Sequence, residues 1–301
     1  MTAETPHICV CICTYKRAAL LRRLLRELGE QETGGGFSYS IVVVDNDTQQ
    51  SAQPVVAEFA SGSKVPIQYC LEPRQGIALA RNKAIANAKG DLVAFIDDDE
   101  FPIRNWLAIL FKTLHQYGVD GVLGPVKPHY DEQPPRWVIK GNFHDRETYP
   151  TGMVIDWRKG RTGNVLLRAS LFDGSATPFD PAFRTGEDQV FFQKMIEKGH
   201  VFVWCDEAVA YEVVPPVRWT RAFLLRRALL RGAVEPLTPN FGFRDVVKSV
   251  IAVPGYTVIL PLALILGPDK LMNILIRLFH HSGKLLALLG INPIREQYVV
   301  E

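Results

Sequence analysis

The stretch DLVAFIDDDE, residues 91–100, decides how the fold of this chain is read. Its first six residues are a short, mostly apolar run of strand length, and it stops abruptly in Asp97, Asp98, Asp99 and Glu100. Working outward, the preceding ninety residues repeat the theme. HICVCICT at His7–Thr14 is a β-branched, apolar run; residues 17–32 then place Leu20, Leu21, Leu24, Leu25 and Leu28 at helical spacing before three glycines break the pattern. Residues 40–45 (SIVVVD) read as a second strand, 54–60 as a helix, 65–71 as a third strand and 76–88 as an alanine-rich helix. Strands that are apolar throughout, alternating with helices, imply a parallel sheet covered on both faces. The first hundred residues therefore read as a doubly wound α/β unit. Beyond them the spacing predicts a helix at Trp106–Tyr117, a strand at Asn164–Arg168, a helix at 187–198 and a strand at 201–204, while residues 127–150, with four prolines, read as a long loop.

The chain has 301 residues, 47% of them hydrophobic and 22% charged, an ordinary globular composition. With 34 Lys and Arg against 32 Asp and Glu it is no polycation, which argues against nucleic acid as a partner. The balance hides an asymmetry: residues 213–301 carry 11 basic and 5 acidic side chains, net +6, and residues 1–212 carry 23 and 27, net −4. Cys9, Cys11 and Cys13 alternate along one strand and none of the five cysteines shows CxxC spacing, so they read as small buried hydrophobes of a reducing compartment. The first six residues lack a basic and apolar leader, and a cytosolic body is expected.

In open α/β sheets ligands bind beyond the carboxyl ends of the strands. Those ends carry Thr14 and Tyr15, then Asp45 and Asn46, then the acids 97–100. Four adjacent carboxylates are costly at a strand end without a cation, and Mg²⁺ or Mn²⁺, with its taste for oxygen ligands and phosphates, is the natural one. In extended chain Asp97 and Asp99 point the same way and address one ion, while Asp98 points elsewhere. There is no GxGxxG after the first strand and no P-loop, so basic residues such as Arg81 are left to hold phosphates, unless Arg81 is only a surface residue. Tyr15 reads as a base-stacking ring or as packing.

Six strings in order along residues 7–232 resemble a family 2 glycosyltransferase: CTYKR at 13–17, VVVDN at 42–46, RQGIALARN at 74–82, FIDDDE at 95–100, TGN at 162–164 and GED at 186–188. The branch that extends succinoglycan-type exopolysaccharides, including its glucosyltransferases, is the most similar. The resemblance implies a GT-A fold, a mostly parallel doubly wound sheet, divided by function into a nucleotide-sugar half (1–105), an acceptor and base half (106–232) and a helical membrane-associating region (233–301). It implies a UDP-sugar donor near Thr14, Tyr15, Asp45, Asn46 and Arg81, with Asp97 and Asp98 beside the ribose. It further implies Mn²⁺ or Mg²⁺ on Asp97 and Asp99, Asn164 and Glu187 at the acceptor, and Asp188 as the catalytic base of an inverting transfer. Where many members have a further histidine ligand this chain has Glu212, which either binds the metal or pairs with an arginine of the basic segment.

The carboxyl-terminal part points to a membrane. Arg218, Arg221, Arg226, Arg227 and Arg231 spread all round a helix, so some should meet fixed anions such as lipid-linked diphosphates or headgroups. Residues 249–268 hold no charge, yet Pro254, Gly255 and Pro261 argue against a straight spanning helix. From Lys270, a stripe of Lys270, Asn273, Arg277, His280, His281 and Lys284 on an otherwise apolar helix suggests a segment lying on anionic lipid. The expected function is hexosyl (glucosyl) transfer from a UDP-sugar to a lipid-linked saccharide at the cytoplasmic face of the cell membrane, with a homo-oligomer compatible. The competing readings are a nucleotidyltransferase, which would bring a glycine-rich basic loop near the amino terminus, and a non-catalytic polysaccharide sensor, which would have broken acids.

Overall fold

The computed structural model describes residues 5–183, 186–237 and 241–291. The leader positions 1–4 and residues 292–301 of the membrane-associating region lie outside the described residues. The chain forms two compact units, one of Met1–Pro128 with Arg146–Val213, the other of His129–Asp145 with Val214–Glu301. These units cut the chain differently from the functional division 1–105, 106–232 and 233–301.

The first unit begins β1 (His7–Thr14), α1 (Ala18–Gly29), β2 (Ser38–Asp45), α2 (Gln53–Gly62), β3 (Ile67–Leu71), α3 (Ile77–Asn87) and β4 (Leu92–Ile96). It continues through β5 (Glu100–Pro102), α4 (Trp106–Tyr117), β6 (Gly121–Leu123), β7 (Val126–His129), β8 (Asn164–Arg168), α6 (Glu187–Glu197), β9 (Phe202–Trp204) and β10 (Ala210–Val213). Seven strands form one sheet in the order β3-β2-β1-β4-β8-β6-β9. It is parallel except at β8, which runs antiparallel to β4 and β6. The pairing of Thr14 with Asp45 and of Cys11 with Phe95 brings the carboxyl ends of β1, β2 and β4 level.

Both faces of the sheet are covered, as the apolar strands require. Ile8, Val10 and Ile12 pack with Leu21, Leu24 and Leu25 of α1, while Cys9 and Cys11, on the opposite face, pack with Ala80 of α3 and Phe191 of α6. All five thiols are free, four of them buried.

A second, three-stranded sheet, β5-β10-β7, sits at the acid end of β4. Its antiparallel register places Glu212 directly opposite Glu100. These strands are three or four residues long, and two contain proline, so no period-2 pattern announced them.

The second unit is helical: α5 (Arg136–Gly141), α7 (Arg221–Val234), α8 (Phe243–Leu266) and α9 (Pro268–Leu288). It corrects three expectations. Residues 127–150 are not one loop, since β7 and α5 lie within them. Pro254 and Pro261 do not interrupt α8, a continuous helix of 24 residues. The prolines are seven residues apart, so the two carbonyls they leave without an N–H lie on one face, and both prolines are exposed. Among the described residues α8 is the one helix long and apolar enough to cross a membrane, with mean hydropathy 2.1 and only 11% of that window buried.

The basic stripe of α9 is the third correction, because it does not stay together at the surface. Lys270 and Arg277 are exposed, but Lys284 is buried and donates to Glu235 at 2.6 Å. His280 lies 3.1 Å from the same carboxylate, and His281 is buried against Ser249 of α8 at 3.0 Å. A helix pair that approaches closely must absorb its own charges. The close approach is set by Gly232 of α7 and Gly283 of α9: a Cβ on either would collide with the backbone of the other helix.

Candidate active site

The acids that close β4 form a turn and not an extended strand end. The Glu100 N–H donates to the Asp97 carbonyl at 3.1 Å. The expected sharing of sides is therefore overturned. Asp98 and Asp99 turn to one arginine, Arg17, at 2.9 and 3.2 Å, while Asp97 faces Arg81 at 3.7 Å. Lys16 carries a left-handed backbone (φ 56°), which swings Arg17 back onto the acids. Asp98 is buried and also accepts from the Thr14 hydroxyl at 2.8 Å. Burial pushes its carboxyl up and Arg17 pulls it down. Asp98 and Thr14 thus lock β1 to β4 and do not offer free groups to a nucleotide. Asp97 is different: 43% of its side chain is exposed, against 6% for Asp98.

Arg81 is no surface residue. It projects from α3, is buried, and forms a short ion pair with Glu187 at the start of α6. Glu187 is buried too, so its assignment to the acceptor is corrected: it neutralises Arg81 inside the protein. Asp188, the next residue, is half-buried, and the charges of Asp97 and Asp188 both act on Arg81. Its Oδ1 accepts from the Gln189 N–H at 2.8 Å. The structure thus brings Asp97, Arg81, Glu187 and Asp188 together from β4, α3 and α6.

Behind Asp97 lies a group missed at the sequence level. Glu100 is completely buried, its Oε2 accepts weakly from the Asp97 N–H at 3.4 Å, and its Oε1 has no hydrogen-bond partner. Burial and the neighbouring Asp97 push this carboxyl well above the usual range. Arg146 bridges it to Glu212, pairing closely with Glu212 and standing 3.9 Å from Glu100. Like charges opposite one another across a strand pair are unfavourable, and the guanidinium between them offsets this. Glu212 as a metal ligand is thereby corrected. It pairs with an arginine, and that arginine comes from residue 146 and not from the basic segment.

The TGN string also receives a different meaning. A Cβ on Gly163 would lie 2.9 Å from Glu100 Oε1 and 3.1 Å from Asp97 Oδ2, so glycine leaves room for two carboxylates. Asn164 is buried with its amide fully engaged. It donates to the Pro125 and Ala208 carbonyls and accepts from the Trp106 indole at 2.7 Å, so it knots the two sheets and does not touch an acceptor.

At the end of β2, Asp45 accepts from the Asp47 and Ala52 N–H groups and from the Tyr69 hydroxyl. Asn46 donates to the Glu72 and Arg74 carbonyls and accepts from the Gly76 N–H. Both shape the rim of the site, and neither points a free side-chain group outward. Tyr15 is 37% exposed, with Lys16 Nζ 5.2 Å from its ring centre. Arg17 sits in the CTYKR string and carried a signal, a cation two residues past a strand end. Arg146 and Glu100 carried none, because their partners lie 66 and 46 positions away in the chain.

The carboxyl-rich turn suits a hard divalent cation. Asp97 opens to the cleft, and Glu100 Oε1 behind it lacks a hydrogen bond, so negative charge exceeds what Arg17, Arg81 and Arg146 neutralise. Among the described residues no three His, Cys, Asp or Glu side chains form a complete cage, so water and ligand oxygens would complete the shell.

With this geometry in view, comparison with known proteins identifies the chain. The family model described as "Glycosyl transferase family 2" matches residues 9–173, more than half of the sequence. The succinoglycan biosynthesis protein ExoM of Rhizobium meliloti is 36% identical over 235 residues, spanning 77% of this chain and 75% of that protein. Among solved structures, the mannosyltransferase PcManGT of Pyrobaculum calidifontis, determined with GDP-Man and Mn²⁺, aligns with a TM-score of 0.62 at 18% identity, over 96% of this chain and 88% of its own. The 1–349 fragment of S. aureus TarS, determined with UDP, aligns with a TM-score of 0.53 at 13% identity, over 96% and 93%. These two share the fold, a mixed α/β architecture of the GT-A kind. The chain belongs to glycosyl transferase family 2 and is a glycosyltransferase.

Proposed function

We propose that the chain is an inverting, divalent-metal-dependent transferase that moves a hexose, glucose in the first instance, from a UDP-sugar to a lipid-linked saccharide during exopolysaccharide synthesis. The observation that carries this reading is the meeting of Asp97, Arg81 and Asp188 at the end of β4. An exposed carboxylate, a buried cation and a second carboxylate at a helix start are the groups an in-line displacement at a sugar carbon needs.

Asp188 is the base. Gln189 holds its Oδ1, so Oδ2 takes the proton of the acceptor hydroxyl as that oxygen attacks C1. Asp97, with Asp99 as the second ligand, holds Mn²⁺ or Mg²⁺, which supplies charge neutralisation for the departing diphosphate. Arg81 keeps the pocket from becoming too negative for a diphosphate to enter, and Glu187 fixes its position. Tyr15, exposed at the rim, is placed to stack on the uracil. The UDP and GDP-Man held by the two fold neighbours support a nucleotide-diphosphate sugar as donor. The ExoM likeness supports an exopolysaccharide context, and α8, apolar and largely exposed, supports attachment to the cytoplasmic face of a membrane. On this reading residues 1–105 serve the donor, 106–232 the acceptor and base, and 233–301 the membrane.

The test is UDP release by the full chain in membranes supplied with a panel of UDP-sugars. One sugar should stand out, and EDTA should stop its turnover. No release with any UDP-sugar, or release indifferent to EDTA, contradicts the proposal.

A further inference from the structure

The helical unit contains a cleft of about 290 Å³ that the transfer chemistry does not use. Arg227 and Arg231 line it from α7, and Arg277, His280 and His281 from α9. The α7 pair is spaced i, i+4 and the α9 set i, i+3, i+4, so each set faces one way. Phe143, just beyond α5, with Leu224 and Ile276, supplies the apolar wall. The Gly232–Gly283 approach presses the two basic helix faces together.

Gathering five basic side chains around one cavity is unfavourable unless an anion joins them. The Glu235 carboxylate nearby is already engaged, by Lys284 at 2.6 Å and His280 at 3.1 Å. Burial and the charge of Lys284 push both imidazoles down, which marks the cleft as electropositive. Guanidinium groups match phosphate oxygens in pairs, better than any other side chain. The wall beside them is apolar, and α8, packed on α9 in the same unit, exposes Ile251, Val258, Leu262 and Ile265. A free phosphate would have no use for that apolar wall.

We propose that this cleft binds the diphosphate of a lipid-linked acceptor, with the first part of its hydrocarbon chain against Phe143, Leu224 and Ile276. This rests on the reading above that the acceptor is lipid-linked, and adds where its phosphates are held. Arg231 and Arg277 are exposed, so replacing them should leave the fold intact, and thermal unfolding checks this.

The experiment measures binding of a prenyl diphosphate to the full chain in detergent, beside inorganic diphosphate and phosphatidylglycerol vesicles. The wild type should bind the prenyl diphosphate more tightly than inorganic diphosphate. Arg231→Gln and Arg277→Gln should each weaken it about fivefold, and together about 25-fold, if each cation contributes as one near an anionic surface does. The lysine variants at both positions should recover part of the loss. Unchanged binding in the double glutamine variant overturns the site. Equal affinity for inorganic diphosphate, or a loss seen only with phosphatidylglycerol, also overturns it, as a free-anion or bilayer-headgroup site. Its failure is separable from that of the acceptor reading. If the enzyme glycosylates a lipid-linked saccharide and the double variant keeps the wild-type KM for it, the cleft fails and the reading stands. If the cleft binds the prenyl diphosphate but no lipid-linked saccharide is ever glycosylated, the reading fails and the cleft stands.

Discussion

The two units handle buried charge in opposite ways. In the α/β unit ionic partners come from far apart in the chain, as in Arg81 with Glu187 or Arg17 with Asp98, and the sheet holds them rigidly. In the helical unit the partners sit on adjacent helices, as in Lys284 with Glu235 and His281 with Ser249, and the surface around them is apolar and open. The first arrangement suits a site in which a few carboxylates must be positioned while others are silenced. The second suits a body that meets an apolar phase. Within the α/β unit the same contrast recurs at smaller scale: Asp98, Glu187 and Asn164 have their polar atoms engaged and act as scaffold, whereas Asp97 and Asp188 keep oxygens facing the cleft.

The contrast can be broken by substitution. Asp188→Asn keeps the shape and loses the basicity, so kcat should fall by about 10²–10⁴-fold while UDP affinity, measured by calorimetry, stays. Normal turnover would move Asp188 to the scaffold. Glu187→Gln leaves Arg81 buried without its counter-charge and should cost about 3–5 kcal/mol in urea unfolding. Replacing both residues with apolar ones of similar volume should recover most of that stability.

Asn164→Ala should cost about 1–3 kcal/mol, since the Trp106 indole N–H would be left buried without its acceptor. The smallest effect belongs to the helical unit. Lys270→Glu, at an exposed position, should weaken binding to anionic vesicles by about 1 kcal/mol and leave unfolding unchanged. Lys284→Glu, set against Glu235, should instead lower the unfolding temperature. Equal behaviour of the two lysines would restore the continuous basic stripe that the residue types on α9 suggest.

Much of the α/β unit was legible because its signals are local. Apolar runs of five to eight residues mark β1, β2, β4 and β8, and leucines at helical spacing mark α1. The short sheet of β5, β7 and β10 was not legible, because strands of three or four residues are defined by their partners and not by their own pattern. Helix α8 was misread for a related reason: two prolines lower local helix propensity, but placed two turns apart on an exposed face they remove no bond from a buried surface. The site showed the same division. The acids, Arg81 and the strand ends were visible as residue types. Which carboxylate is held and which is open depends on Arg17, Glu187 and Arg146, whose partners are set by the fold. The alternation rule failed at Asp97–Asp99 because the strand had already ended in a turn there.

The most direct test compares two neighbouring acids. Calorimetric titration of UDP in the presence of Mn²⁺, with thermal unfolding on the same samples, should separate Asp97→Asn from Asp98→Asn. Asp97→Asn should lose the Mn²⁺-dependent part of UDP binding and unfold at the wild-type temperature. Asp98→Asn should unfold earlier, having weakened the bonds to Thr14 and Arg17, and should still bind UDP in a Mn²⁺-dependent way. Wild-type Mn²⁺-dependent UDP binding by Asp97→Asn would contradict the assignment of Asp97 as the open, metal-holding carboxylate.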